Sequence, residues 1–134
     1  MSQFKRELTV AWGDCDHAGI VFYPTFFYWF DTSYHHFLAS RGTNLHDLRE
    51  RYQAVTPLVD VGATFRSPVT YGDVIQIETE VAEWGERRLR LNYTVKHGER
   101  LVATGFEQRA WALYVEGGGM RGGAVPEEFK QLLS

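Results

Sequence analysis

An α+β domain, an antiparallel sheet of about five strands wrapped around one long central helix, is the fold class that this 134-residue sequence predicts. Two observations carry the prediction. Apolar residues at Phe26, Phe27, Phe30, Tyr34, Phe37 and Leu38 fall close to helical spacing. Beyond residue 52 the period changes to two, in segments rich in Val, Ile, Thr and aromatics. The length fits one compact unit that buries roughly 65–70% of its unfolded surface, and no internal repeat or linker divides it, so a single domain over residues 1–134 is expected.

A first strand is expected over residues 4–10, where Phe4, Arg6, Leu8 and Val10 alternate with Lys5, Glu7 and Thr9. Gly13 and Gly19 then bracket a polar run, Asp14-Cys15-Asp16-His17, which places that run on a loop. Pro24 suits the first position of the long helix, where its missing N–H costs nothing, and Gly42 suits the helix end. Because Tyr28 and Trp29 add bulk beside the apolar stripe, other elements should wrap this helix. A short charged helix follows over residues 45–52. Four strands are expected over residues 54–66, 73–84, 87–97 and 100–115, with glycine-bearing connectors at Trp84-Gly85-Glu86 and His97-Gly98-Glu99 that suit antiparallel hairpins. They read as a four-stranded meander to which the first strand is added back. Residues 117–123 read as a flexible loop, and residues 125–133 as a terminal helix with Pro126 near its start.

Composition removes several functions. A formal net charge of −3 argues against general nucleic-acid affinity, while leaving room for a local basic patch. No apolar run reaches membrane-spanning length, and MSQFKRELTV lacks the apolar core and cleavage site of a signal peptide, so a soluble, cytoplasmic protein is expected. The single cysteine, Cys15, excludes an intrachain disulfide. Sheet edges need covering or pairing, and a sheet continued into a second copy is an economical solution.

The run WGDCDHAGIVFYP concentrates the candidate chemistry. Adjacent residues rarely converge on one metal ion, and His35, His36, His46 and His97 lack ligand spacing with the loop, so no metal is expected. Cys15 sits between two aspartates that would raise its thiol pKa, which favours a small buried side chain over a nucleophile. The carboxylates remain. A carboxylate on a loop facing a helix start lies near backbone N–H groups that lack intrahelical partners, and such donors can polarise an acyl carbonyl and hold an oxyanion. The carboxylate can attack that carbonyl or deprotonate a water. The plainer alternative for Asp14 and Asp16 is a pair of Asx-turns.

WGDCDHAGIVFYP, the aromatic helix behind it and the later TFRSPVTYGDVIQIETEVAEW together resemble the 4-hydroxybenzoyl-CoA thioesterase family of hot-dog acyl-CoA thioesterases, from about residue 10 to residue 115. The element order sketches the same hot-dog fold. The resemblance implies an enzyme that hydrolyses an acyl-CoA, aromatic in kind, to a free acid and coenzyme A without a cofactor. It implies Asp16 as nucleophile or general base, the Tyr23 backbone N–H as the donor to the thioester carbonyl, and Gly19 as the glycine that keeps the loop tight; Asp14 matches no catalytic position. It further implies that Arg87 and Arg88 contact nucleotide phosphates, which suits the guanidinium fork. Asp31 matches an acidic helix position that faces the acyl pocket or caps a buried hydrogen-bond network, the second being favoured. Phe22, Phe26, Trp29 and Phe30 are near enough to line an apolar acyl pocket. Two departures from sister branches matter: Pro24 stands where the short-chain acyl-CoA branch carries histidine, and no glutamate occurs on the long helix. The first places the chain nearer the aroyl-CoA branch, and the second sets it apart from a second hot-dog branch that acts on the same substrate through a helix glutamate. A homodimer or homotetramer is expected. The competing readings are a short-chain aliphatic acyl-CoA thioesterase, a hot-dog hydratase or dehydratase using His17, and a non-catalytic acyl-CoA binder.

Overall fold

The structure, a computed structural model, describes residues 3–134; the first two residues of the N-terminal stretch lie outside it. Strand β1 (Gln3–Thr9) leads through a loop to helix α1 (Pro24–Ser40) and helix α2 (Leu45–Tyr52). Strands β2 (Ala54–Val55), β3 (Leu58–Phe65), β4 (Val74–Trp84), β5 (Arg88–His97), β6 (Arg100–Ala110), β7 (Ala112–Tyr114) and β8 (Met120–Gly122) follow, and helix α3 (Glu127–Leu132) closes the chain. The main sheet is five-stranded and antiparallel in the order β1-β4-β5-β6-β3.

Four expectations need correction. The four late strands are not a continuous meander: β4, β5 and β6 are, but β3 crosses over to pair with β6. The segment expected as one strand over residues 54–66 breaks at Thr56-Pro57, because Pro57 has no N–H to give a ladder. Residues 100–115 break at Trp111, whose buried ring packs against Phe129 and Tyr52 at centroid distances of 5.0 and 5.6 Å. The short pieces left over, β2 and β7, join β8 in a three-stranded second sheet. Strand β8 lies in the stretch expected to be a flexible loop, where only Gly117, Gly118 and Gly119 form the turn, all at positive φ.

The long helix lies on the sheet through Phe26, Trp29, Phe30, Ser33, Tyr34, Phe37 and Leu38, one face at helical spacing. It is wrapped on that face only, since Tyr28 is 67% exposed. Phe30 stacks on Tyr93 of β5 with ring centroids 4.6 Å apart and 13° between planes. Beside Tyr93 in the register is Gly105 of β6, where a Cβ would run into the Phe30 ring and stand 3.1 Å from the Gly62 carbonyl. Glycine is therefore what lets the helix sink onto the sheet here. No helix among the described residues is long and apolar enough to cross a membrane.

A polar seam crosses this interface. The Arg109 guanidinium, 4% exposed, donates to Glu107 Oε1 (3.1 Å from Nε), to the Thr56 carbonyl (2.9 Å) and to Asp31 Oδ1 (2.7 Å), and lies 4.3 Å from the Tyr34 ring centroid. The Tyr93 hydroxyl donates to Glu107 Oε1 at 2.6 Å, and the Tyr34 hydroxyl pairs with Thr56 Oγ1 at 3.0 Å. Burial pushes the Tyr34 phenol up to about 12 from 10.0 and the Tyr93 phenol well above its ordinary value. A raised folded-state pKa means that stability is fully present below pH 10.0 and is lost as pH climbs through about 12, because the unfolded chain gives up its proton first. Tyr34 alone links about 2–3 kcal/mol to that window. Urea midpoints measured between pH 9 and 11 should therefore fall, and Tyr34→Phe should flatten the slope. An unchanged slope in the variant would refute the assignment.

Candidate active site

Of three neighbouring side chains on the loop after β1, two turn back to Ala11 and the third turns forward to Ala18. Asp14 Oδ2 accepts from the Ala11 N–H at 2.8 Å, the Cys15 thiol points at the Ala11 carbonyl at 3.9 Å, and Asp16 Oδ1 accepts from the Ala18 N–H at 2.8 Å. The polar run diverges rather than converging on a common point, and His17 is exposed. Cys15 is half-buried and packs against the core, as its size predicts. Asp16 forms the Asx-turn of the plainer reading, whereas Asp14 reaches back to an N–H three residues earlier and forms none. What separates them is the remaining surroundings.

Asp16 is held in a closed turn. Its N–H donates to the Ile20 carbonyl and its carbonyl accepts from the Gly19 N–H, both at 3.0 Å. Gly19 adopts φ +82°, a left-handed conformation that favours glycine, and its carbonyl accepts from the Thr70 hydroxyl. The turn exposes Asp16 and leaves Oδ2 without a protein partner among the described residues.

At the helix start the donors can be followed one by one. The Phe22 N–H donates to the Asp14 carbonyl at 2.9 Å, the Thr25 N–H to the Phe22 carbonyl at 2.9 Å, and the Phe26 N–H to the Tyr23 carbonyl at 3.1 Å. Pro24 has no N–H. Tyr23, already helical at φ −55° and ψ −35°, is thus the residue whose N–H has no acceptor among the described residues. Asp14 contributes by its backbone, since its carbonyl takes the Phe22 N–H and the Thr25 hydroxyl (3.3 Å) and so ties the loop to the helix.

Two grooves flank this loop. Asp16 and Gly19 line the first, of about 390 Å³, with Trp12, Cys15, Thr70 and Tyr71. Tyr23 and Phe26 line the second, of about 360 Å³, with Val21, Phe65 and Arg66. Phe26 is the buried floor of the second groove, its ring 5.1 Å from Trp29 and 5.2 Å from Phe65 between centroids. Phe22 is 48% exposed and leans on Tyr23 instead. Trp29 and Phe30 belong to the buried core. Sequence reasoning missed Trp12, Phe65, Arg66 and Tyr71. Their place depends on the β3–β4 connection docking on the loop, through Val21 N–H to the Val69 carbonyl at 3.0 Å, and no periodicity reports such a contact.

Arg87 and Arg88 are not brought to this site within one chain. Arg88 opens β5 opposite Ala110, whereas the Asp16 loop docks near Asp73, beside the other end of the sheet, where Val10 N–H meets the Asp73 carbonyl. The ten residues of β5 span about 30 Å at ~3.3 Å per residue. Asp31 is half-buried, with Oδ1 on Arg109 and Oδ2 3.3 Å from His35 Nε2. It is engaged in the polar seam.

Comparison with protein-family profiles matches residues 10–133 to the thioesterase-like superfamily. The chain is 31% identical over 132 residues to the 4-hydroxybenzoyl-CoA thioesterase of Pseudomonas sp. (strain CBS-3), covering 93% of each. It is 26% identical over 105 residues to the 1,4-dihydroxy-2-naphthoyl-CoA hydrolase of Synechococcus elongatus, covering 78% of this chain and 77% of that one. Among solved structures, a 4-hydroxybenzoyl-CoA thioesterase variant complexed with 4-hydroxybenzoyl-CoA superposes with a TM-score of 0.90 at 28% identity, covering 100% of both chains. A gentisyl-coenzyme A thioesterase superposes with a TM-score of 0.83 at 28% identity, covering 95% of this chain and 99% of that one. The match extends over almost the whole domain and includes the loop and helix start described above: the chain belongs to the thioesterase-like superfamily, among its hot-dog acyl-CoA thioesterases.

Proposed function

We propose that this protein hydrolyses aromatic acyl-CoA thioesters to the free acid and coenzyme A, with Asp16 and the Tyr23 N–H as the reacting pair. One observation carries the assignment: a carboxylate oxygen and a backbone N–H, both without partners among the described residues, belong to one short loop-to-helix junction. The thioester carbonyl oxygen accepts from the Tyr23 N–H, which withdraws charge from the carbonyl carbon. Asp16 then attacks that carbon to form a mixed anhydride that water cleaves, or takes the proton of a water that attacks in its place. In either route the C–S bond breaks and the thiolate departs as a good leaving group, so no strong acid is required. Gly19 keeps the Asp16 turn closed, and the acyl ring lies in the groove floored by Phe26.

Aromatic esters are supported by the apolar floor of that groove and by the relatives, whose names specify 4-hydroxybenzoyl-, gentisyl- and 1,4-dihydroxy-2-naphthoyl-CoA. Arg87 and Arg88, an entire strand away from Asp16, serve the nucleotide phosphates of a substrate bound to another copy. A dimer formed through β3 supplies the second copy: β3 is a sheet edge and exposes Leu58, Val59 and Val61. Two such dimers give a homotetramer, working in the cytoplasm. Free-thiol release from a panel of aroyl-CoA and straight-chain acyl-CoA esters tests the reading. Turnover should be fastest with an aroyl ester; exclusive cleavage of short aliphatic esters would reassign the substrate, and no cleavage at all would refute the function.

A further inference from the structure

We propose that Arg66 is a substrate-binding residue that holds the pyrophosphate of coenzyme A on the rim of the Tyr23 groove. The inference rests on the hydrolase reading above and adds a residue of the same chain to it. Arg66 follows directly on β3, is exposed, and lines the groove with Tyr23, Phe26 and Phe65. Among the described residues its side chain forms no hydrogen bond, ion pair or ring contact. Other arginines are committed: Arg6 to Ser33, Arg51 to Glu128 and Asp47, Arg109 to the polar seam. Its backbone, by contrast, is fixed, since the Arg66 N–H donates to the Val102 carbonyl at 2.8 Å.

A second guanidinium supports this rim from outside the groove. Arg100 donates to the Pro68 carbonyl at 2.8 Å and sits 2.9 Å from His97 Nδ1, so it braces the segment that follows Arg66 and adds positive charge behind it. The floor of the groove is apolar, with Val21 and Phe26 buried, and suits the acyl end of the ester. Its charged end must leave over the rim. The pyrophosphate is the first anion met along that exit, ahead of the 3′-phosphate, and a guanidinium fork matches it. No arginine expected from the sequence reaches this end of the sheet in the same chain, which is why the assignment differs from that of Arg87 and Arg88.

Steady-state kinetics of Arg66→Ala on three forms of one aroyl thioester test the inference. With aroyl-CoA, KM should rise roughly tenfold with kcat within twofold, as expected for loss of a charge-assisted contact to a remote group. The same rise should appear with aroyl-dephospho-CoA, which keeps the pyrophosphate, and vanish with aroyl-pantetheine, which has no phosphate. Arg66→Lys should recover part of the loss. An equal loss with aroyl-pantetheine would mean that Arg66 contacts the acyl or pantetheine part, a loss confined to full coenzyme A would mean the 3′-phosphate, and no loss would mean no contact; each overturns the proposal. Wild-type cleavage of aroyl-pantetheine reports the hydrolase function independently, so the two failures stay distinct.

Discussion

Asp16→Asn should lower kcat for aroyl-CoA hydrolysis by on the order of 10²–10⁴-fold while KM changes by no more than a few-fold. The amide oxygen can keep the bond that Oδ1 accepts from the Ala18 N–H, so the turn through Gly19 should persist. What the amide cannot do is attack a carbonyl or accept a proton from water at neutral pH. The loss should therefore fall on the chemical step. Asp14→Asn is the matched control, because its oxygen can still accept from Ala11 and its carbonyl still ties the loop to the helix. Thiol-release assays on both variants, with circular dichroism to confirm folding, decide the matter. An Asp16→Asn enzyme within threefold of wild type would remove Asp16 from the mechanism.

Arg109→Met is expected to be the most damaging substitution for stability. It deletes every Arg109 contact in the seam at once and leaves Glu107, 1% exposed, with the Tyr93 hydroxyl as its remaining partner. Removing one partner of a buried ion pair costs roughly 3–5 kcal/mol, a fall in Tm of about 10–20 °C for a domain of this size. Burial already raises the Glu107 carboxyl, and Arg109 partly opposes that rise. Without Arg109 the rise should grow. A raised folded-state pKa gives stability that is present at low pH and lost as pH rises through it, so the variant should be less impaired at pH 5 than at pH 8. Arg109→Met combined with Glu107→Gln should recover much of the loss and flatten the pH dependence. Thermal melts of both at the two pH values check this; equal damage in the two variants would show that the cost is packing rather than the unpaired charge.

The elements that the sequence made legible are those decided by local periodicity. Helix α2 has the predicted limits, and α1 runs from Pro24 to just before Gly42 because the proline and glycine act on their own backbone. The break at Pro57 had a local signal, a proline inside a strand run, whereas the break at Trp111 had none, because residues 110–115 form one continuous apolar run. Strand order was hidden too: a period of two tells which face a residue takes and says nothing about which strand lies beside it, so the jump of β3 to β6 had no signal. At the candidate site, the carboxylates and the helix start could be located because a loop-to-helix junction is local, while the choice of Asp16, Gly19 and Tyr23 came from the family resemblance. Trp12, Tyr71, Phe65 and Arg66 could not, because the groove walls form only when residues 65–71 dock against residues 12–23. Arg87 and Arg88 were legible as cations but not as distant ones, since position along a strand is invisible until the register is known.

The contact between Gly105 and Phe30 bears on the chemistry although neither residue touches either groove. Helix α1 is a rigid rod that carries Phe30 two turns beyond Tyr23, whereas the Asp16 loop, although tied to the helix start by the Asp14 carbonyl, is also anchored to the β3–β4 connection through Gly19 and Thr70. The height of the rod above the sheet is fixed where the Phe30 ring meets the bare backbone of Gly105. That height also sets how far the Tyr23 donor stands from the carboxylate. The alignment of the two groups proposed to react is thus gauged from a point in the middle of the sheet, by the absence of a single carbon atom.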